Sequence, residues 1–147
     1  ISIVYTCNLA YNNHLTHFEF SSSDFITMTA SSQITLNPAL LSDDAFCQDW
    51  GLFRSGEHNN LNINAQIEHY VDGKGLACPM PLLKLKMALK KTAVGHAVYV
   101  TATDPNSKRD IAAFCQHAGY TLVQQTSITP SENTTDTIFH SIITKSC

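Results

Sequence analysis

A β-prone run, a glycine-rich loop and a helix-forming stretch follow one another in residues 67–91, whose sequence is IEHYVDGKGLACPMPLLKLKMALKK. Residues 67–71 favour a strand, and the turn-forming segment DGKG at 72–75 ends it. After the segment CPMP at 78–81, residues 82–91 consist almost entirely of strong helix formers. The stretch therefore predicts a strand, a loop and a helix, in that order.

The pattern continues downstream as a strand, a second helix and two further strands. Residues 97–103 are apolar and β-branched, which is typical of a strand. Residues 107–118 carry apolar side chains at helical spacing and precede Gly119, a typical helix stop. Residues 120–125 and 137–145 are strand-like. The order β-α-β-α-β-β predicts an α/β two-layer sandwich, with two helices on one face of a four-stranded mixed sheet.

The chain of 147 residues has two unlike parts. Residues 1–66 hold six acidic side chains and one basic one, are rich in Ser, Thr and Asn, and show no sustained periodicity. Residues 67–147 hold six acidic and eight basic side chains. We predict one domain over residues 67–147, preceded by a poorly ordered or non-native extension over residues 1–66 that is dispensable for folding. Short strands, or a helical turn around residues 42–50, are the alternative for that extension.

The composition narrows the class of protein. Charged residues make up 14% of the chain and hydrophobic residues 44%, without a run of about 18 apolar residues that would span a membrane. The first 20 residues lack the pattern of a secretory signal, so we expect a cytoplasmic protein that does not insert into membranes. The five cysteines are widely spaced and the seven histidines show no ligand spacing, so we expect neither a disulfide framework nor a metal site.

Cys78 has neighbours that favour a reactive thiol. Pro79 suits the first position of a helix, which places Cys78 at the N-cap. There the helix dipole and the free amides of Met80 and Leu82 would stabilise a thiolate, and Lys74 could add a cation. We predict a nucleophilic thiol whose pKa lies below that of free cysteine. The alternative interpretation is a small, buried cap residue.

The first predicted helix carries two apolar stripes on different sides. One stripe, Leu82, Leu85 and Leu89, suits the core. Because one helix cannot bury both stripes in a single sheet layer, the second stripe is either a partner-docking surface with a basic rim or a face that packs on loops or on residues 1–66. The residues of this stripe and its rim are Met80, Leu83, Met87, Lys84 and Lys91.

Residues 67–145 resemble the TusA/SirA family of sulfur-carrier proteins. The hallmark of that family, Asp-x-x-Gly-x-x-Cys-Pro-x-Pro, corresponds to DGKGLACPMP at 72–81. Met80 is a departure, since the best-known member has an acidic residue there, and the extension before residue 67 is foreign to the family. The resemblance implies a two-layer α/β fold with Cys78 as the persulfide carrier. The residues that would support Cys78 are Asp72, Lys74, Gly75, Pro79 and Pro81.

The resemblance also implies a function. Cys78 would accept sulfane sulfur as a persulfide from a cysteine desulfurase, itself dependent on pyridoxal phosphate, and pass it to an acceptor protein. The destination would be 2-thiouridine in tRNA or related sulfur metabolism. We expect a stoichiometric, sulfurtransferase-type carrier that is a monomer, has no cofactor of its own and does not bind DNA.

Two other classes of function follow from the residues alone. An RNA- or protein-binding regulatory module would use the basic first helix without persulfide chemistry, although residues 67–147 contain no pair of aromatic residues at strand spacing for base stacking. A thiol-redox enzyme would need a resolving cysteine near Cys78, and the sequence has none nearby. Loading of persulfide on Cys78 separates the carrier from both alternatives.

Overall fold

The computed structural model describes residues 18–20, 26–28, 34–55, 64–131 and 136–147. The strands are β1 (Phe18–Phe20), β2 (Ile26–Met28), β3 (Ile34–Leu36), β4 (Ala65–Gly73), β5 (Ala97–Ala102), β6 (Thr121–Ile128) and β7 (Ile138–Thr144). A 3-10 turn, Pro38–Ser42, precedes the helices α1 (Asp44–Ser55), α2 (Met80–Lys91) and α3 (Pro105–Ala118).

The strands form one mixed sheet with the order β1-β2-β3-β4-β5-β7-β6. β3, β4 and β5 are parallel to one another, and the other neighbouring strands are antiparallel. α2 is the crossover between β4 and β5, as parallel neighbours require. Because β4 and β5 are parallel, their carboxyl ends meet at one edge of the sheet. The loops that lead into α2 and α3 start at this edge.

α2 and α3 pack together on one face of the sheet. Leu85 and Leu89 of α2 and Ile111 of α3 are almost completely buried there. The whole cluster consists of Val71, Leu85, Leu89, Val98, Val100, Ile111, Cys115 and Ile143. This part of the molecule confirms the predicted β-α-β-α-β-β order, with four strands and two helices on one face.

The predicted start of α3 at residue 107 is two residues late. The helix begins at Pro105, because the side chain of Asp104 caps it by accepting a hydrogen bond from the amide of Asn106 at 2.9 Å. Its end is as predicted, since Gly119 follows the last turn with a φ of 75° in the left-handed region.

Residues 34–55 are folded, which corrects the prediction that they belong to a poorly ordered extension. β3 pairs in parallel with β4, and α1 buries Phe46, Trp50 and Phe53 against the second face of the sheet. The strand residues of that face include Ile67, Ala97, Tyr99 and Ile142. Since these side chains are apolar too, one layer of helices could not cover the sheet. In the described part of the chain the sheet has seven strands, not the four predicted, and helices pack on both of its faces.

Candidate functional site

The loop that follows β4 is shaped by two glycines. A Cβ atom on Gly73 would lie 2.8 Å from the carbonyl oxygen of Thr101, so a larger residue does not fit against β5. Gly75 has a φ of 74°, a conformation that favours glycine. Its amide donates a hydrogen bond of 2.9 Å to Oγ1 of Thr103. These contacts hold the loop against the carboxyl end of β5.

Cys78 lies one residue before the N-cap of α2, not at the N-cap as predicted. The helix begins at Met80, and its N-cap is Pro79, with a φ of −96° and a ψ of 13°. The peptide bond between Cys78 and Pro79 is cis. The amide of Met80 donates a hydrogen bond of 3.0 Å to the carbonyl oxygen of Ala77, which closes a turn before the helix starts. This amide is therefore not free to stabilise an anion on the sulfur.

Two aspartates from the chain after β5 hold Cys78. Its amide donates a hydrogen bond to Oδ2 of Asp104, and its thiol donates one to Oδ2 of Asp110, both at 2.7 Å. Asp104 is also the N-cap of α3, and Asp110 lies within that helix. The thiol itself is exposed. The fold thus presents this sulfur to solvent between the starts of α2 and α3.

The pKa of the Cys78 thiol is raised, which makes the predicted lowering wrong. The main cause is the hydrogen bond to Asp110, because a thiolate could not donate it. Desolvation and the negative charges of Asp110 and Asp104 act in the same direction, while the positive charge of Arg109 lowers the pKa. The sequence placed free amides and a cation beside the sulfur, whereas the fold places two carboxylates there.

Lys74 does not supply the cation predicted for Cys78. Its Nζ forms ion pairs with Asp49 of α1 and with Asp72, the latter at 3.2 Å. Asp72 orders the loop as well, because its Oδ1 accepts a hydrogen bond of 3.0 Å from the amide of Lys74. Pro81 is buried at the start of α2, beneath the loop. These residues shape the loop, and the groups that contact the sulfur come from α3.

The second apolar stripe of α2 is exposed. Residues 34–55 pack on the opposite face of the sheet, so this part of the extension does not cover the stripe. Val94, which the sequence analysis did not include, is exposed beyond the end of α2. The stripe consists of Met80, Leu83 and Met87, which are 46%, 45% and 62% exposed, with the exposed Lys84 and Lys91 at its rim.

The role of Asp104 and Asp110 beside Cys78 was not predicted from the sequence. Both residues are far from Cys78 along the chain, so no local sequence pattern connects them with the thiol. A signal was present in the predicted topology. Adjacent parallel strands have their carboxyl ends at the same edge, so residues that follow β5 lie near residues that follow β4.

The described ranges contain no group of three or more His, Cys, Asp and Glu side chains that could hold a metal ion. No helix in the described part of the chain is both long and apolar enough to cross a membrane.

Fold and site together define a small α/β protein that presents an exposed thiol at the carboxyl edge of its sheet. Residues 69–139 match the family model described as Sulfurtransferase TusA. The putative sulfur carrier protein YrkI of Bacillus subtilis is 41% identical over 56 residues, which are 38% of this chain and 75% of the relative. The sulfur carrier protein TusA of Pseudomonas putida is 42% identical over 55 residues, or 37% of this chain and 69% of the relative. The chain belongs to the TusA family.

A solved structure also matches. The SirA-like protein from Desulfitobacterium hafniense aligns with 53% of this chain and 99% of its own, at 23% sequence identity and a TM-score of 0.41. β3 and α1 lie before the range that the family model matches.

Proposed function

We propose that this protein is a sulfur carrier that binds sulfane sulfur as a persulfide on Cys78. The observation that carries the proposal is the exposed thiol, held at the carboxyl edge of the sheet by hydrogen bonds to Asp104 and Asp110. The names of the relatives from Bacillus subtilis and Pseudomonas putida support the same role. A carrier needs a thiol that two partner proteins can reach in turn, and an exposed thiol meets this need.

The donor in this proposal is the persulfide of a cysteine desulfurase. The Cys78 sulfur attacks the outer sulfur of that persulfide, so a new S–S bond forms on Cys78 and the S–S bond of the donor breaks. The donor cysteine leaves as a thiolate and takes up a proton, which replaces the proton that Cys78 loses. The exchange involves no net oxidation or reduction. An acceptor protein then attacks the outer sulfur in the same way. This time the sulfur of Cys78 is the leaving group, and Cys78 takes up a proton.

The exposed stripe of α2 is the proposed docking surface for these partners. Its side chains, Met80, Leu83 and Met87, follow directly on Cys78, so a protein that covers them also reaches the sulfur. The basic rim formed by Lys84 and Lys91 favours a partner with acidic groups around an apolar patch.

Sulfur loading on defined cysteines tests the proposal. After incubation with a cysteine desulfurase, cysteine and pyridoxal phosphate, mass spectrometry should show a gain of about 32 Da, one sulfur atom, on the peptide that contains Cys78. Cys78→Ser should abolish the gain. Cys115→Ser should load normally, because Cys115 is buried and burial raises its pKa to about 11. Cys147→Ser is the control for exposure alone.

Two results would contradict the proposal. If Cys147 loads as much sulfur as Cys78, exposure and not the site determines loading. If Cys78 takes up no sulfur, the regulatory module becomes the better candidate.

The destination of the sulfur is a separate part of the proposal. The family resemblance supports 2-thiouridine in tRNA as the end product. Replacement of the gene by a Cys78→Ser version in the source organism should then lower the 2-thiouridine content of its tRNA. An unchanged content would direct the search to another route of sulfur metabolism.

A further inference from the structure

A buried carboxylate joins α1 to the loop that carries Cys78. Asp49 lies on the sheet-facing side of α1 and is 3% exposed. Its Oδ2 accepts hydrogen bonds from the hydroxyl of Thr101, at 2.9 Å, and from the phenol of Tyr70. The same oxygen forms an ion pair with Nζ of Lys74. These contacts connect α1, the two central parallel strands and the loop.

Lys74 is the basic residue of that loop. Its Nζ also contacts Oδ1 of Asp72 at 3.2 Å and the hydroxyl of Tyr70 at 3.3 Å. The Lys74 side chain is only 27% exposed, so most of it lies against the protein and not in water. The loop is therefore attached to the body of the protein at a point four residues before Cys78.

The attachment matters because a glycine flanks Lys74 on each side, and glycines give a loop little rigidity of its own. Contacts from outside must hold such a loop. Burial of a carboxylate such as that of Asp49 is costly unless the carboxylate is paired. Asp49 therefore binds Lys74 more strongly than an exposed carboxylate would. Asp72 is 42% exposed, and exposed ion pairs contribute little.

We propose that Asp49 is a positioning residue of the sulfur site, which fixes Cys78 through its ion pair with Lys74. This inference rests on the proposed carrier function and assigns a part of that function to α1. Lys74 lies within residues 69–139, the range that matches the family model, whereas Asp49 lies before it. The segment that contains α1 thus contributes to the site, because it keeps the loop in a position where a donor persulfide can reach the sulfur of Cys78.

Asp49→Asn tests the proposal in the full chain. The amide keeps the size of the side chain and an acceptor for Thr101, but it removes the charge that holds Lys74. We expect sulfur uptake by Cys78 to slow by about ten- to a hundredfold, the cost of a misplaced reacting group. Asp44→Asn is the matched control, since Asp44 is an exposed aspartate of the same helix. It should load sulfur at the wild-type rate.

A double-variant cycle separates positioning from general damage. Lys74→Met removes the other partner of the ion pair, and we expect it to slow sulfur uptake as well. If the pair acts as one unit, Asp49→Asn in the Lys74→Met background should cause no further loss. Multiplicative losses would overturn the proposal, as would a normal uptake rate in Asp49→Asn.

Amide hydrogen exchange tests the same link without sulfur chemistry. The amides of Gly75 and Leu76 make hydrogen bonds within the loop region, to Thr103 and Gly73. In Asp49→Asn they should exchange at least several-fold faster than in Asp44→Asn, while core amides of β5 keep their protection. Unchanged exchange at both amides would overturn the proposal. If the wild type takes up no sulfur, the carrier function fails, and the exchange data still decide whether Asp49 holds the loop.

Discussion

Asp110 controls the ionisation of Cys78, because the thiol donates a hydrogen bond to its carboxylate. Asp110→Asn removes the negative charge and should lower the pKa of the thiol. Since the thiolate is the nucleophile, alkylation by iodoacetamide should reach half its maximal rate at a lower pH in the variant than in the wild type. The measurement is the rate of alkylation of the peptide that contains Cys78, followed as a function of pH.

Arg109→Gln is the control with the opposite sign. The positive charge of Arg109 lowers the pKa of Cys78, so its removal should shift the alkylation curve to higher pH. This shift should shrink at high salt, because the Arg109 side chain is 80% exposed. Coinciding curves for the wild type and Asp110→Asn would show that the hydrogen bond does not form in solution.

His140 should make the stability of the protein depend on pH. Burial is the main cause that lowers its pKa from 6.5 to about 4, with a smaller contribution from the charge of Lys74, while the charge of Asp49 opposes the shift. The folded protein keeps this imidazole neutral, so the unfolded chain binds more protons between these two pH values. The contribution of neutral His140 to the free energy of unfolding is complete above pH 6.5 and is lost as the pH falls towards 4. By pH 5 we expect a loss of about 2 kcal/mol.

Urea unfolding at pH 7 and pH 5 measures this loss. His140→Gln should show a much smaller difference, since glutamine does not titrate and can still form a hydrogen bond with the Tyr99 hydroxyl, which lies 2.6 Å from Nδ1 of His140. An equal difference in both proteins would assign the acid sensitivity to other groups.

At the level of whole elements, the second apolar stripe of α2 should determine how strongly a partner docks, without affecting the ionisation of the Cys78 thiol. Met87→Glu places a charge in the exposed apolar stripe and should slow sulfur transfer by about tenfold, roughly the effect of losing one buried methionine at an interface. The pH dependence of Cys78 alkylation should stay unchanged. Rates of transfer from the desulfurase, measured over a range of donor concentrations, test this expectation.

Val94→Glu is the matched control for Met87→Glu. Val94 is 63% exposed, close to the 62% of Met87, but it lies beyond the end of α2 and away from Cys78. We expect normal transfer. If both variants transfer sulfur at the wild-type rate, the partner docks elsewhere.

Local signals were sufficient to predict the elements after residue 66. Helix formers after a proline-containing start, apolar spacing in α3 and the stop at Gly119 are all read within a few residues of one another. They predicted α2, α3 and β4 to β7 to within a few residues. The same reasoning failed for α1, whose apolar side chains Phe46, Trp50 and Phe53 have helical spacing but no partner within the segment.

A signal for α1 was present in β5. Each of its residues, Ala97–Ala102, is buried, and its sequence AVYVTA is apolar at almost every position. An alternating pattern is expected when one face of a strand meets water, so this strand required cover on both sides. The site shows the same limit of local sequence patterns, which do not reveal partners that are distant along the chain. Cys78 and its loop were found from a local motif, whereas Asp104 and Asp110 come from the far side of a crossover.

At the scale of the whole molecule, residues 34–55 should be indispensable for folding. A shortened chain that begins at residue 66 loses β3 and α1, and it exposes Tyr99 and Ile142 to water. Each buried aromatic side chain of α1 stabilises the fold by about 3–5 kcal/mol, and typical domains have only about 5–15 kcal/mol in total. We expect the shortened chain to lack a cooperative thermal transition in circular dichroism.

Phe46→Ala in the full chain gives a graded version of this test. Phe46 is completely buried, and its ring contacts those of Trp50 and Tyr99. We expect a loss of about 3–5 kcal/mol in the free energy of unfolding. A shortened chain that melts like the full one would show that α1 is an accessory to an independent domain.

The parallel pairing of β3 with β4 has a consequence during synthesis on the ribosome. α1 leaves the ribosome first, and the strand that lies under its aromatic side chains, β5, ends about 47 residues later. At roughly 5–20 residues per second, Phe46, Trp50 and Phe53 wait several seconds without their partner. For that interval the nascent chain exposes an apolar helix, which is the kind of segment that chaperones bind. The helix that carries Asp49, the residue proposed to position Cys78, is thus also the helix whose apolar side chains the growing chain leaves uncovered.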